Sequence, residues 1–182
     1  MSKYIFQSER LGFRNWTVDD LHPFSQMNMD KDVMEFFPNK LTFNQTKIFL
    51  NRLKNEFIQN GFTFYAVEIV ENGEFIGFIG IEEANFDADF TPCIEIGWRL
   101  KKSAWNRGYA TEGAIKCLYY AFSNLNIETI YSFTAAINKK SENVMKKIGM
   151  KKVGEFFHTK ITKDHKLNPH VLYRINKEIV IQ

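Results

Sequence analysis

A strand, helix, strand succession over residues 92–135 constrains the fold more than any other feature of this sequence. Pro92 to Leu100 alternates two sets of side chains, as expected of a strand with two different faces. One face carries Ile94, Ile96, Trp98 and Leu100, and the other carries Cys93, Glu95, Gly97 and Arg99. Apolar residues then recur with helical spacing from Ala110 to Leu125, before a β-rich run at Thr129 to Ala135. Because a helix normally joins parallel strands by a right-handed crossover, these residues predict one parallel strand pair.

The flanking segments predict antiparallel strands and further helices. Phe64 to Val70 and Glu74 to Glu83 are β-rich runs joined by Asn72-Gly73, which predicts a hairpin with a type I′ turn. Further strands are predicted at Tyr4 to Phe6, Leu11 to Asn15, Met150 to Thr159 and His170 to Ile179. Further helices are predicted from the N-cap Thr17 to about Asp30, from the capping box Thr42 to Gln45 as far as Gly61, and from Ser141 to Ile148. The predicted class is mixed α/β (α+β), with a mostly antiparallel sheet around one parallel crossover.

The length and composition are typical of a single domain over residues 1–182. Hydrophobic residues make up 45% of the chain, and the aromatic set of 18 Phe, seven Tyr and three Trp can fill a core without a disulfide or a structural metal. Glycine and proline stand singly between periodic segments, and the sequence shows neither a repeat nor a linker. One compact domain is therefore expected.

Charge and cysteine content exclude several classes of partner. A net charge of +3 with dispersed cations gives no strong electrostatic case for nucleic acid, although a few cations can still face a small phosphorylated ligand. The sequence contains no run of about 18 apolar residues that would predict a membrane span. Cys93 and Cys117 lack a CxxC or nearby His pattern, and His158, His165 and His170 do not have metal-ligand spacing. We therefore expect a soluble cytoplasmic protein without a metal, either a monomer or a homodimer.

A phosphate site is predicted where the strand ending at Leu100 gives way to a helix. The segment Trp105 to Glu112 reads W-N-R-G-Y-A-T-E. The first turn of a helix has unpaired N–H groups and a partial positive charge, Gly108 allows close approach, and Arg107 adds a cation. Taken alone, a glycine at a helix start is more often part of an ordinary turn. The segment matches neither G-x-x-x-x-G-K-[ST] nor G-x-G-x-x-G, so nucleotide loops of those kinds are not supported.

The chain resembles the Gcn5-related N-acetyltransferases (GNAT), and within them the subgroup that acetylates ribosomal-protein N-termini. The resemblance covers nearly the whole chain through the following segments: Ser8 to Leu11, Phe75 to Gly80, Ile94 to Trp98, Trp105 to Glu112, Asn138 to Ser141, Lys147 to Met150 and His170 to Tyr173. It implies the GNAT fold, with helices on both faces of the sheet. It also implies acetyl-CoA as co-substrate and an amine as acceptor.

The resemblance carries a set of coenzyme-binding residues onto this chain. The family loop reads Arg or Gln, two residues, Gly, one residue, Gly or Ala; Gly108 and Ala110 match it, Trp105 holds the first position, and Asn106 stands where the subgroup usually has Gly. The strand end at Trp98 to Leu100 is expected to pair with the pantetheine arm, while Thr129 to Ala135 splays away. The expected coenzyme-binding residues are Trp98, Leu100, Asn106, Arg107, Gly108, Tyr109, Ala110, Thr111, Asn138, Ser141 and Asn143.

Two residues are expected to move protons. Glu95 can take the proton of the attacking amine, or can instead form a cross-strand ion pair. The resemblance implies that Ser141 protonates the departing thiolate, whereas its spacing alone is typical of a helix N-cap. Asn143 and Lys146 can reach the adenosine phosphates or can lie in solvent.

The acceptor is the least constrained part of the function. Asp30, Asp32 and Glu35, beside Phe36 to Pro38, can form one wall of an amine pocket or a solvated helix end. Neither cysteine has a partnered His, so direct attack without an acetyl-enzyme is expected. A protein N-terminal α-amine, with a pKa of about 8, needs a weaker base than a lysine side chain. The alternatives are a small amine, such as a polyamine or an aminoglycoside, and a coenzyme A binding module without turnover.

Overall fold

The computed structural model describes residues 3–179, which form a mixed sheet flanked by helices. The strands are β1 (Phe6–Gln7), β2 (Leu11–Arg14), β3 (Phe64–Ile69), β4 (Phe75–Ala84), β5 (Cys93–Leu100), β6 (Thr129–Ala135), β7 (Lys151–Phe157) and β8 (Pro169–Asn176). The α-helices are α1 (Leu21–Met29), α2 (Phe43–Asn60), α3 (Tyr109–Asn124) and α4 (Lys139–Lys147). Short 3₁₀ helices cover Val18–Asp20, Lys102–Ala104 and Lys177–Ile179.

Strand pairing confirms the predicted crossover. Within the described residues the strand order is β1-β2-β3-β4-β5-β6-β8-β7, and every neighbouring pair is antiparallel except β5 and β6. The helix α3 connects this parallel pair. Over residues 3–179 the two strands share one register pair, Glu95 with Tyr131, and the Ser132 hydroxyl donates to the Ile96 carbonyl at 2.9 Å. The join between the two parts of the sheet is therefore narrow.

Helices cover both faces of the sheet, as expected for this class. On one face α3 and α4 pack against a core that includes Ile79, Ile96, Leu118, Phe122 and Met145. On the other face α1 and α2 pack against a second core that includes Phe24, Leu53, Phe64 and Phe78. The alternation predicted for β5 follows these faces, because Ile96 and Leu100 lie in the first core and the Arg99 guanidinium packs against Phe78 of the second.

Two predicted helix starts need correction. The helix predicted from about Ser141 begins two residues earlier, and Ser141 is not its N-cap: Asn138 is the N-cap, and its side-chain oxygen accepts a hydrogen bond from the Ser141 N–H at 3.2 Å. The segment after Thr17 first forms a 3₁₀ turn, and α1 begins at Leu21, because the Asp20 carboxylate caps the Thr17 N–H and binds Arg14 in a bidentate pair. The capping box at Thr42 is present as predicted.

The predicted hairpin between β3 and β4 is present, but its type I′ turn is not. That turn needs positive φ at both Asn72 and Gly73, and Gly73 has φ +71° whereas Asn72 is not among the positive-φ residues. Residues 70–74 form a longer loop, in which the Gly73 N–H donates to the Ile69 carbonyl at 2.8 Å. The Asn72 side chain instead accepts from the Glu74 N–H at 3.0 Å, which stabilises this wider turn.

Candidate active site

A cavity of about 690 Å³ runs through the gap between β5 and β6. It extends from the starts of α3 and α4 to α2 and the segment 32–38. The predicted site residues that line it are Glu95, Trp98, Leu100, Asn106, Gly108, Tyr109, Ala110, Thr111, Asn138, Ser141 and Asn143. Arg107 is exposed and does not line it. Residues more than 40 positions apart in sequence, such as Glu95 and Ser141, therefore face one space.

The start of α3 presents a row of backbone donors to this cavity. Gly108 is the N-cap with φ +80°, and the first helical hydrogen bond runs from the Glu112 N–H to the Gly108 carbonyl at 3.0 Å. The N–H groups of residues 109–111 therefore have no helical acceptor. Asn106 also has positive φ, at 59°, which asparagine tolerates better than most residues. This explains how asparagine can occupy a position where the related subgroup usually has glycine.

Arg10 braces this loop from the other end of the chain. Its Nε donates to Glu112 Oε2 at 2.6 Å, its Nη1 donates to the Arg107 carbonyl at 3.1 Å, and its guanidinium lies 4.7 Å from the Tyr109 ring centre. The Ser8 hydroxyl donates to Glu112 Oε1 at 2.7 Å. Partial burial would raise the pKa of Glu112, but the hydrogen bonds from Ser8 and Arg10 outweigh it and the pKa lies below its usual value. Local sequence does not predict this role for Arg10.

The start of α4 contributes polar and cationic groups. Asn138, Ser141 and Asn143 line the cavity together with Lys140 and Lys147, whose spacing of seven residues places them on one helix face. The Lys140 ammonium lies 4.8 Å from the Trp105 ring centre. Lys146, one of two residues considered for phosphate contact, is not among the lining residues, and its Nζ lies 3.4 Å from Glu142. The spacing of seven residues between Lys140 and Lys147 is the feature of the sequence that could have predicted this cationic face.

Two carboxyl groups face each other across β4 and β5. Glu82 and Glu95 are register partners and both line the cavity. Arg52 of α2 donates from Nη1 to Glu82 Oε2 at 2.8 Å. The nearby cation is therefore paired with Glu82, and the cross-strand ion pair considered for Glu95 is not formed. Burial and the neighbouring Glu82 carboxyl raise the pKa of Glu95 well above its usual value. Burial also raises the pKa of Glu82, although Arg52 opposes it. When ionised, a carboxylate with a raised pKa is a stronger base than an ordinary carboxylate.

The far end of the cavity is aromatic. Phe36, Phe37, Phe49, Phe64 and Phe78 line it, with Asp32 at its rim. Three acidic residues were predicted to form a wall of the amine pocket. Asp32 is ion-paired with Lys102, and Asp30 accepts a hydrogen bond from the Asp32 N–H at 2.8 Å within its own turn. Glu35 does not line the cavity. Sequence reasoning missed Arg99, which also lines this end, although the strand pattern places it on the Glu95 face.

Three further observations concern the histidines, metal binding and helix length in residues 3–179. His158 and His170 lie side by side at the cavity wall, with ring centres 5.2 Å apart, while His165 does not line it. No group of three or more His, Cys, Asp or Glu in this part of the chain is arranged to hold a metal. The helices formed by these residues are too short or too polar to cross a membrane.

Solved structures of known proteins share this fold. An acetyltransferase of the GNAT family from Bacillus anthracis matches with a TM-score of 0.78 and 26% identity, covering 94% of this chain and 98% of that one. Spermidine N-acetyltransferase from Vibrio cholerae, solved with CoA and spermine, matches with a TM-score of 0.75 and 19% identity over 95% and 99% of the two chains. Ribosomal-protein-S5-alanine acetyltransferase from Vibrio fischeri matches with a TM-score of 0.75 and 17% identity over 95% and 96%.

Sequence relationships agree with the fold. The chain is 29% identical over 172 residues to the uncharacterized N-acetyltransferase YnaD of Bacillus subtilis (strain 168), covering 94% of this chain and 96% of the relative. The family described as acetyltransferase (GNAT) domain matches residues 10–151. That match begins at Arg10, which braces the loop, and includes β5, α3 and the start of α4. The chain belongs to the GNAT acetyltransferase family and is an N-acetyltransferase.

Proposed function

We propose that this protein transfers the acetyl group of acetyl-CoA directly to a primary amine, and that the amine is the N-terminal α-amine of a protein, as in ribosomal-protein acetylation. One observation carries the proposal: a single cavity connects the free N–H groups at the start of α3 with the Glu82 and Glu95 carboxyl pair. Donor and acceptor can therefore meet inside it. Its path through the gap between β5 and β6 suits a long, thin co-substrate.

The donor half of the cavity fits a coenzyme with a pyrophosphate. The N–H groups of residues 109–111 have no helical acceptor, and Lys140 and Lys147 add positive charge nearby. Trp98 and Leu100 lie on the free edge of β5, where an amide-containing arm can hydrogen-bond to the strand. Asn138 is assigned to the same arm. Arg107 adds an exposed positive charge to the phosphate loop, and its carbonyl accepts a hydrogen bond from Arg10.

The chemistry follows from groups at the middle of the cavity. The neutral amine attacks the thioester carbonyl carbon, and Glu95 accepts the amine proton directly or through a water. A backbone N–H at the free end of β5 stabilises the oxyanion of the tetrahedral intermediate. The carbon–sulfur bond then breaks, Ser141 gives the leaving thiolate a proton, and the proton held by Glu95 returns to Ser141 through solvent. The products are an N-acetylated amine and free coenzyme A.

The acceptor half favours an amine of low charge. Two of its three carboxylates already have cationic partners, since Glu82 pairs with Arg52 and Asp32 pairs with Lys102. A polyamine gains little from acids that are already neutralised, and Arg99 and Lys160 at the same wall repel it. An α-amine carries at most one positive charge and, with a pKa of about 8, loses it easily to a carboxylate of raised pKa.

A panel of acceptors tests the proposal. The protein is incubated with acetyl-CoA and, separately, with peptides that have free N-termini, an N-terminally blocked lysine peptide, spermidine and an aminoglycoside. Thiol release measures turnover, and mass spectrometry locates the acetyl group. We expect acetylation at peptide N-termini. Turnover of spermidine or the aminoglycoside alone would replace the proposed acceptor by a small amine. Calorimetric binding of coenzyme A without turnover of any amine would indicate a binding module.

A further inference from the structure

Arg99 is a buried cation at the acceptor end of the cavity. It lies on the same face of β5 as Glu95 and is 9% exposed. Its Nη1 donates to Asn28 Oδ1 at 2.7 Å. Its guanidinium carbon lies 4.0 Å from the ring centre of Phe37 and 5.3 Å from that of Phe78. These contacts hold the guanidinium against an aromatic wall of the cavity.

Arg99 forms no ion pair in the described part of the chain, although the Glu82 carboxylate acts on its charge from a greater distance. No carboxylate of residues 3–179 lies within ion-pair distance of it, and its buried Nε has no hydrogen-bond partner there. By contrast, the partly buried Arg14 pairs with both Asp20 and Glu68. Burial lowers the pKa of Arg99 to about 9 against the opposing effect of the Glu82 carboxylate, so Arg99 remains a cation at neutral pH. Burying an unpaired charge is costly, which points to a ligand that completes the pair.

Arg99 and the Glu82 and Glu95 pair lie at two ends of the acceptor part of the cavity. Along β5, Arg99 follows Glu95 by four residues, which corresponds to roughly 13 Å between their Cα atoms. Their register partners on β4 are Phe78 and Glu82. Between them Gly97 has no side chain, and the Phe64 ring lies about 3.0 Å from the position that its Cβ would take. The acceptor end therefore has a proton-accepting pair on one side, an apolar floor, and a cation on the other side.

We propose that the acceptor carries a carboxylate a few bonds from its amine, and that Arg99 binds this carboxylate while the amine faces Glu82 and Glu95. This inference rests on the proposed function and specifies its acceptor. An acidic side chain at the first or second residue of a peptide has this chemistry, and so does a free amino acid. A polyamine lacks the carboxylate and brings additional cations towards Arg99.

Matched acceptors test the inference on the full chain. Peptides that start with Asp or Glu are compared with their Asn or Gln isosteres, and a free amino acid is compared with its carboxamide. We expect kcat/KM to be at least about tenfold higher for the carboxylate member of a pair, equivalent to about 1.4 kcal/mol. The peptide pair and the amino acid pair separate the two sources of the carboxylate. Equal rates within both pairs would overturn the inference but not the proposed function, whereas no turnover of any amine would overturn the function itself.

Variants of Arg99 assign the preference to this residue. Arg99→Gln should abolish the preference for carboxylate acceptors, and Arg99→Lys should keep part of it, because lysine retains the charge but not the planar guanidinium. Coenzyme affinity measured by calorimetry shows whether either variant remains folded. A preference that survives in a folded Arg99→Gln variant would contradict the role of Arg99.

Inhibition of the parent protein gives a second measurement that does not depend on a variant. A hydroxy acid, which has the carboxylate but no amine, should compete with the acceptor, whereas its amide should not. Equal inhibition by the acid and the amide, or by neither, would contradict the inference.

Discussion

The Nε atom of Arg10 lies 2.6 Å from Glu112 Oε2, although 102 residues separate the two in the chain. The carboxylate stands in the first turn of α3, where a negative charge suits the helix dipole but opposes a bound phosphate. Arg10 neutralises this charge and also holds the Arg107 carbonyl. The pair therefore permits an acidic residue at the entrance of the proposed phosphate site.

Replacing Arg10 should weaken coenzyme binding without altering the chemical step. Arg10→Gln leaves Glu112 uncompensated beside the phosphate and frees the Arg107 carbonyl. We expect the KM for acetyl-CoA to rise about fivefold to tenfold with kcat nearly unchanged, because charge-assisted hydrogen bonds at partly exposed sites contribute about 1 kcal/mol. Initial rates at varied acetyl-CoA measure this. Arg174→Gln removes the same charge at an exposed site on β8, outside the cavity lining, and serves as the control. A fall in kcat at constant KM would contradict the bracing role.

Gly108→Val should disrupt the phosphate loop. At φ +80° a valine adds strain of about 1–2 kcal/mol, and its Cβ would lie 3.5 Å from Arg10 Nη2, so its branches would press on the side chain that braces the loop. We expect calorimetry to show coenzyme affinity reduced about tenfold or more. Gly61 has a similar φ of +78°, with no atom within 4 Å of a Cβ placed on it, so Gly61→Val imposes similar strain away from the cavity. Equal affinities in the two variants would mean that the loop does not hold the coenzyme.

The carboxyl pair should control the acidic limb of the pH–rate profile. The base must be ionised, so activity falls as the pH drops below the pKa of Glu95, which burial and Glu82 raise. Glu82→Gln removes the negative neighbour and should move the limb to lower pH. Arg52→Gln removes the opposing cation and should move it to higher pH. Shifts in the same direction for both variants would exclude Glu95 as the titrating group.

Glu95→Gln should remove the base itself. General bases typically contribute 100-fold to 10,000-fold, so we expect kcat to fall about 100-fold or more with coenzyme affinity preserved. Steady-state rates and calorimetry on the same preparation measure both quantities. Turnover and a pH profile equal to those of the parent would assign proton transfer to water or to another residue.

Glu142 should make the free energy of unfolding depend on pH in the acidic range. Hydrogen bonds from Lys139 and Tyr173 lower its pKa from 4.5 to about 2 in the folded chain. Its stabilisation is therefore complete above pH 4.5 and is lost as the pH falls through about 2. Denaturant unfolding of the parent and of Glu142→Gln should differ most near neutral pH, and the difference should shrink on acidification. A difference that is constant with pH would show that Glu142 acts through packing alone.

The helices and strands were predicted well because each depends on residues that are close together in the sequence. The alternation in Pro92 to Leu100 and the helical spacing after Ala110 were enough to predict the parallel crossover, which the structure confirms. The Thr42 capping box likewise lies within four residues. The Asn72-Gly73 turn was wrong in type because the register of the flanking strands, rather than the dipeptide, sets the loop length.

Contacts between distant residues were beyond the reach of such patterns. The sequence places Glu95 on one face of β5, but only strand register shows that its neighbour is Glu82 rather than a lysine or an arginine. The same holds for Arg10 with Glu112, and for the absence of an ion pair at Arg99 within the described residues. Asn138 and Ser141 are both of residue types that cap helices. Only the hydrogen bond from the Ser141 N–H to the Asn138 side chain shows that Asn138 is the cap.

If the coenzyme fills the gap between β5 and β6 as proposed, the narrow join there makes the stability of the protein depend on its co-substrate. Strands β1 to β5 and strands β6 to β8 meet through little shared backbone pairing, so a coenzyme in the gap, as proposed, would clamp the two parts together. A ligand present at 100 times its Kd adds about 2.7 kcal/mol to the free energy of unfolding. A cell that exhausts its acetyl-CoA would then degrade this protein faster, so the abundance of the catalyst would follow the supply of its acetyl donor.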